Sequence, residues 1–254
     1  MIKDRLVACL FFIALHRFND RVMIEKNEEE YMNKELLKEG LIKYIAGVVL
    51  VGALLFIPAG SLKWRDGWIF MAVLFIPMLI AGIIMYLKAP DLLRRRLNAK
   101  EKENQQKEVI GMSGLMFLAA FIVAGLNYRF SWIRFPEVIR IAGIVVFLFS
   151  YLMFGEVLRE NEYLSRTIEV QEGQKVVDTG LYGIVRHPMY SATVLLFLSM
   201  PVIMNSPISF VIMLLYIPLI VKRILNEEEV LEKGLEGYKE YKEKVKYRIL
   251  PFIW

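Results

Sequence analysis

The sequence predicts an all-α fold: a polytopic integral membrane helical bundle of about four spans, followed by a C-terminal helix-turn-helix membrane hairpin. Three observations carry this. The 254 residues are 56% hydrophobic, above the roughly 45–50% of soluble domains, and their mean hydropathy is +0.44. The apolar residues gather in runs of about 20, the length that crosses the hydrocarbon core. The basic residues fall in short blocks between those runs, the distribution that orients membrane proteins.

The net charge of +5 would fit nucleic-acid binding if it lay on one interleaved basic-aromatic face. It does not, so anionic lipid headgroups account for it and no nucleic-acid partner is expected. A single cysteine, Cys9, excludes an internal disulfide and a multi-cysteine metal site. The two histidines, His16 and His187, lie too far apart in sequence for a histidine-based one. No metal is expected, and any chemistry must use carboxylates, Arg, His, Tyr or a bound cofactor.

Residues 1–40 read as an N-terminal extension. The apolar run 6–15 is too short to span and is followed by a charged stretch containing Glu28, Glu29 and Glu30. Behind Lys3 and Arg5 it has the build of a signal-peptide core, yet His16 and Arg17 stand where small residues would mark cleavage. The stretch MNKELLKEGLIKYIAG reads as a basic lead into a membrane helix and makes Met32 a candidate start.

Residues 41–158 are expected to form a four-span scaffold. The first span is 41–60 and the second 66–87, with SLKWR as a tight turn and Trp64 and Trp68 as interfacial anchors. Pro58 and Pro77 are expected to kink these helices, which neighbouring helices permit. The polar loop 88–108 carries Lys88, Arg94, Arg95, Arg96, Lys100, Lys102 and Lys107, which assigns it to the cytoplasm. Spans three and four, 111–130 and 138–158, are joined by a connector around Trp132 and Phe135.

Residues 159–254 carry the motifs. The segment 159–186 returns to the cytoplasmic side with Arg159, Arg166, Lys175 and Arg186. Within it SRTIEVQEGQKVV alternates polar and apolar residues around a Glu-Gly turn, which predicts a small extended or hairpin-like element. The apolar block 189–221 is broken at Asn205-Ser206-Pro207. Each arm has about 15 or 16 residues, marginal for a crossing, so the hairpin either dips into the bilayer or spans it tilted. Its two ends, and both chain termini, are then cytoplasmic.

This topology brings Arg186 to Tyr190, RHPMY, to the same side as Arg223, Glu227 and Glu228. Arg223 and Glu227, four apart, share one helical face. Each residue alone has a plainer reading. Arg186 and His187 suit positive-inside anchors, and Tyr182 and Tyr190 suit belt aromatics. Arg223 and Glu227 suit a surface ion pair worth about 0.3–0.5 kcal/mol. What distinguishes them is their order: Gly180 and Tyr182, Arg-His-Pro-x-Tyr, a split hairpin, Arg before Glu-Glu-x-x-Leu, then Gly-Tyr-x-x-Tyr.

That order resembles the isoprenylcysteine carboxyl methyltransferase family, especially its bacterial members, whose relatives include the membrane phospholipid N-methyltransferases. The resemblance covers residues 165–254 and rests on SRTIEVQEGQKVVDTGLYGIVRHPMYSA, RILNEEEVL and GYKEYKEKVKYRILPFIW. It implies S-adenosylmethionine as cofactor at the cytoplasmic face and a lipid-linked acceptor entering from the bilayer. The implied cofactor contacts are Gln174, Val176, Val177 and Tyr182, then Arg186, His187, Pro188, Met189 and Tyr190, with Glu227 closing the wall. Arg223 and Glu228 are the implied catalytic residues, Arg223 facing the acceptor. Gln174 stands where a histidine is frequent and can still hydrogen-bond. Ala192 replaces the usual glycine of RHPxYxG, adding a methyl group.

The cofactor's carboxylate, ammonium and sulfonium groups call for donors, an acceptor and an aromatic face. Arg186 or His187, Glu227, and Tyr182 or Tyr190 supply these. A carboxylate acceptor needs no base, and Arg223 would position it. An amine such as a phosphatidylethanolamine headgroup must lose a proton, which gives Glu228 or Glu227 a base role. The arginine before EExxL favours the carboxylate. A non-enzymatic transporter or regulatory protein is the reading of another class; intramembrane charges and internal repeats would mark it, and neither is evident here.

Overall fold

The computed structural model describes residues 34–97, 104–164 and 170–254. The signal-like run 6–15 and the Met32 start lie outside the described residues. The described chain is helical, with no strand among its residues. It falls into two units, the first described over residues 34–45 and the second beginning at residue 46. In the first, residues 34–45 are helical, and Lys43 donates to Glu39 one turn earlier at 2.6 Å.

Among the described residues, five apolar helices are long enough to cross a membrane. They are α1 (Lys34–Ala59), α2 (Arg65–Lys88), the Lys107–Phe130 part of α4 (Asn104–Phe130), α5 (Glu137–Glu160) and the stretch Pro207–Gly234, interrupted once by a turn. Ile76, Leu115, Val145 and Leu152 are among the many apolar side chains that face outward. A soluble bundle rarely exposes that much apolar surface, whereas lipid accepts it provided the backbone bonds internally, as these helices do.

Two glycines set helix spacing in the second unit. A Cβ on Gly125 of α4 would lie 2.5 Å from the Leu55 carbonyl oxygen of α1. One on Gly143 of α5 would lie 2.7 Å from Val202 Cγ1, where α5 meets α6 (Pro188–Ile203) along the most extensive helix pair. Small residues let membrane helices approach this closely.

Two expectations change. Trp64 is no interfacial anchor: it is 1% exposed and stacks on Tyr128 at 5.3 Å, because the tight turn folds it inward. Trp68 stays 51% exposed, its indole N–H bonded to the Leu62 carbonyl at 2.8 Å. The basic loop is not all irregular, since Pro90–Leu97 forms a short helix, α3. Pro90 suits a first helical position, Arg94 bonds Asp91 at 3.2 Å and Leu93 is buried.

The C-terminal hairpin is present. Its first arm is α6. After a turn, α7 (Pro207–Met213) and α8 (Tyr216–Gly234) follow, with a break at Leu214 and Leu215. At the tip Asn205 takes φ 58°, a conformation Asn tolerates better than most residues. Its side-chain oxygen accepts the Phe135 N–H at 2.7 Å, and Asn127 Nδ2 donates to its carbonyl at 3.3 Å. Ser209 Oγ donates to the Ala120 carbonyl at 2.8 Å. The tip therefore docks on the connector that precedes α5.

The opposite end of α5, 24 residues or about 36 Å away, meets the polar segment that leads into α6. The Asn161 side chain donates to the Tyr182 hydroxyl there at 2.9 Å. Arg223 of α8 reaches Tyr190 at the start of α6, so both ends of the hairpin return to the α5 C-terminal end.

Candidate functional site

Of the segment before α6, the described residues 161–164 and 170–187 are turns and irregular chain with no strand; the first part of SRTIEVQEGQKVV, 165–169, lies outside the described residues. The Glu-Gly turn forms: Gln174 N–H donates to the Gln171 carbonyl at 3.1 Å, with Gly173 at φ 70°. Gln174 Oε1 accepts the Gln171 N–H at 2.9 Å, which leaves its amide donors for other partners. Gly180 has φ +53°, and a Cβ there would press on the Glu160 side chain at 3.0 Å. A 3-10 turn, Gly180–Gly183, then buries Tyr182. Burial pushes the Tyr182 phenol up to about 12, opposed by the bond from Asn161.

The Arg-His-Pro segment is held by the chain's tail. Arg186 and His187 donate their backbone N–H groups to the Tyr247 and Arg248 carbonyls, both at 2.8 Å. Pro188, which has no N–H, begins α6. Arg186 Nη1 reaches the Val245 and Lys246 carbonyls at 2.7 and 2.8 Å, and Ser191 Oγ reaches that of Ile249 at 2.7 Å. Five consecutive carbonyls, 245 to 249, thus serve one turn of RHPMYS.

The two glutamates of EExxL have different surroundings. Glu228 is buried: its Oε1 accepts from Arg186 Nε at 2.8 Å and its Oε2 from Arg248 Nε at 3.0 Å. His187 Nε2 lies 3.3 Å from Oε1. Buried charge of this kind is tolerated only when it is paired and hydrogen-bonded. Glu227, one residue earlier, accepts from the Tyr190 hydroxyl, and Arg223 Nε donates to that same oxygen at 3.0 Å. His187 Nδ1 is 3.9 Å from Glu227. One hydroxyl therefore ties the start of α6 to the face of α8.

These groups line a single cleft. Gln174, Val176, Val177, Tyr182 and Arg186 form part of its wall, with His187, Met189, Tyr190, Arg223 and Glu227. Of the residues singled out in the sequence, Pro188 and Glu228 are not on that wall. Arg186 reaches it with Nε and Nη1 already engaged by Glu228 and the tail.

Sequence reasoning missed Asn161, Leu231, Leu235, Tyr238 and Tyr241, which also line the cleft. The signal was there for the tyrosines: in GYKEY they are three apart, on one face of a helix. That helix is α9 (Tyr238–Lys244), which follows Gly237 at φ 81°. Tyr238, Tyr241, Leu235 and Val245 pack together against Val170, Val176 and Leu231. The Tyr241 hydroxyl donates to the Tyr182 carbonyl at 2.7 Å. Lys244 pairs with Asp178 at 2.7 Å and holds its carboxyl below the usual range.

Fold and cleft together define a class: a polytopic helical membrane protein with a polar, aromatic cleft at one end of its bundle. Residues 141–233, a little over a third of the chain, match the Isoprenylcysteine carboxyl methyltransferase (ICMT) family. The match starts inside α5, earlier than the motif resemblance, and ends before α9. A Delta(14)-sterol reductase of Mus musculus is 30% identical over 91 residues, 35% of this chain. The matched stretch spans only about a fifth of that relative's length, 22%.

Proposed function

We propose that the protein is an S-adenosylmethionine-dependent membrane methyltransferase acting on a lipophilic or lipid-linked acceptor, with carboxyl methylation of an isoprenylcysteine-like group as the reaction. The ICMT-family match supports membrane methyltransferase activity. The observation that carries the reading further is the Tyr190 hydroxyl, bonded at once to Glu227 and Arg223 on one cleft wall.

The residues present fit the cofactor. His187 and the Gln174 amide offer donors, Glu227 an acceptor for an ammonium or ribose group, and Tyr182 and Tyr190 aromatic faces for a cation. Val176, Val177 and Leu231 supply apolar contact. The tyrosine hydroxyl of residue 238 is buried in the wall without a partner among the described residues. When bound, S-adenosylmethionine supplies an electrophilic methyl group on a sulfonium centre. The chain's own part is to align the reactants and exclude water.

Arg223 holds an acceptor carboxylate by a charge-assisted bond, and no base is needed. Glu228, engaged by Arg186 and Arg248, orients Arg186 and His187. For an amine acceptor, as in phosphatidylethanolamine N-methylation, the base role falls to Glu227, the glutamate that faces the cleft. Both termini and the α3 loop are assigned to the cytoplasm, which labelling of single cysteines placed at 94–96 in intact cells tests.

Calorimetry on the purified, folded protein should show S-adenosylmethionine binding in the micromolar range, on the order of −8 kcal/mol. Labelled methyl transfer into a lipidated-cysteine probe, compared with a phospholipid extract and an alkylated thiol, then identifies the acceptor. Absence of cofactor binding removes the methyltransferase reading.

A further inference from the structure

Tyr238 is 4% exposed, yet its hydroxyl has no hydrogen-bond partner among the described residues. It lies in the cleft wall, at the first position of α9. Its neighbour Tyr241, equally buried, is satisfied by the Tyr182 carbonyl. A buried hydroxyl left unpaired costs free energy, and native proteins rarely keep one without a use. A phenylalanine would fill the same space without that cost.

The location narrows the use. Tyr238 packs with its neighbours against Val176 and Leu231, and the Glu228 and Glu227 carboxylates and the Arg186 guanidinium all act electrostatically on its hydroxyl, so it joins the apolar wall of the cleft to its charged groups. Burial and the two carboxylates raise its ionisation well above that of a free phenol. It therefore keeps its proton and can donate a hydrogen bond at neutral pH. Glu227 is available to an ammonium group, whereas a ligand carboxylate needs donors, and two N–H positions of Arg186 are already taken by Glu228 and the tail.

We propose that the Tyr238 hydroxyl donates a hydrogen bond to the carboxylate of the amino-acid arm of the cofactor bound in the cleft. Tyr238 is thus a binding residue, contributed by α9 from beyond the ICMT-family match, which ends at residue 233. This rests on the methyltransferase reading above.

The test uses the full chain in detergent or nanodiscs. Binding of S-adenosylhomocysteine and of 5′-methylthioadenosine, which keeps the nucleoside and sulfur but lacks the amino-acid arm, is measured for wild type and Tyr238→Phe. The melting temperature of the free protein is read alongside. The expected result is about a tenfold loss of S-adenosylhomocysteine affinity, unchanged 5′-methylthioadenosine affinity, and a melting temperature unchanged or raised. Tyr241→Phe should instead lower the melting temperature and weaken both ligands alike. Equal S-adenosylhomocysteine affinity in wild type and Tyr238→Phe, or equal losses for both ligands, overturns the proposal while leaving the function standing. A folded wild type that binds neither ligand overturns both.

Discussion

Arg186 Nε donates to Glu228 Oε1 at 2.8 Å across 42 residues of sequence, with both side chains almost wholly out of solvent. Arg248 closes on the other oxygen of the same carboxylate while its guanidinium lies 4.9 Å from the Trp254 ring centroid. Three separate stretches of chain thus meet at one buried charge.

Glu228→Ala should therefore act on stability first. Removing one partner leaves two guanidinium groups uncompensated, a loss of about 3–5 kcal/mol. Glu227→Ala, on the cleft wall, should weaken the cofactor with little change in melting temperature. Thermal unfolding beside cofactor titration separates the two. Comparable melting in both variants would contradict the division of labour between the paired glutamates.

Tyr190→Phe removes the oxygen shared by Glu227 and Arg223. Losing one hydrogen bond to charged groups is worth about 1.5–3 kcal/mol, and here both the cofactor side and the acceptor side lose it. Cofactor affinity and kcat should each fall about tenfold, against Arg223→Ala, which should reduce turnover with affinity nearly kept. Kinetics with varied cofactor and varied acceptor check this.

Alkaline stability should report on Tyr182. Its phenol ionises near 10.0 when unfolded and at about 12 in the fold, because burial opposes the anion. The raised value means its contribution is complete below pH 10 and is lost as pH climbs through 12. Within that window the loss is about 1.4 kcal/mol per pH unit. Tyr182→Phe should flatten the decline in melting temperature between pH 10 and 12. Tyr238 and Tyr241, also raised by burial, keep the remaining slope.

At the far end of the bundle, Asn205→Ala removes the acceptor of the Phe135 N–H and strains a backbone at φ 58°. A destabilisation of about 1–3 kcal/mol is expected, with cofactor affinity unchanged at temperatures where the variant is folded. Gly125→Ala should also destabilise, since its new methyl group meets the backbone of α1. Denaturation of both variants in detergent measures the effects.

Much of this was legible in the sequence. Hydropathy located the apolar helices because each is a single long run, and the charged blocks between them brought RHPMY and Arg223 to one end. The resemblance placed Glu227 on the cleft wall, where it lies, but the withdrawal of Glu228 from that wall was not legible. Glu227 and Glu228 are adjacent on α8, roughly a third of a turn apart, and only packing against the tail decides which is buried. Tyr238 was missed because its place depends on the left-handed turn at Gly237. Trp64 looked like a belt residue because composition does not reveal that Tyr128 waits beside it. α3 escaped because an eight-residue amphipathic helix inside a basic loop has too few apolar positions to stand out.

The tail grips the Arg-His-Pro segment through five successive main-chain carbonyls, and carbonyl oxygens are the same in every residue. Side chains at 246 and 247 can drift without loosening that grip, whereas an inserted or deleted residue would put the whole row out of step. The strap is therefore selected by length and path more than by letters. Two chains could share it fully and show little likeness there on alignment.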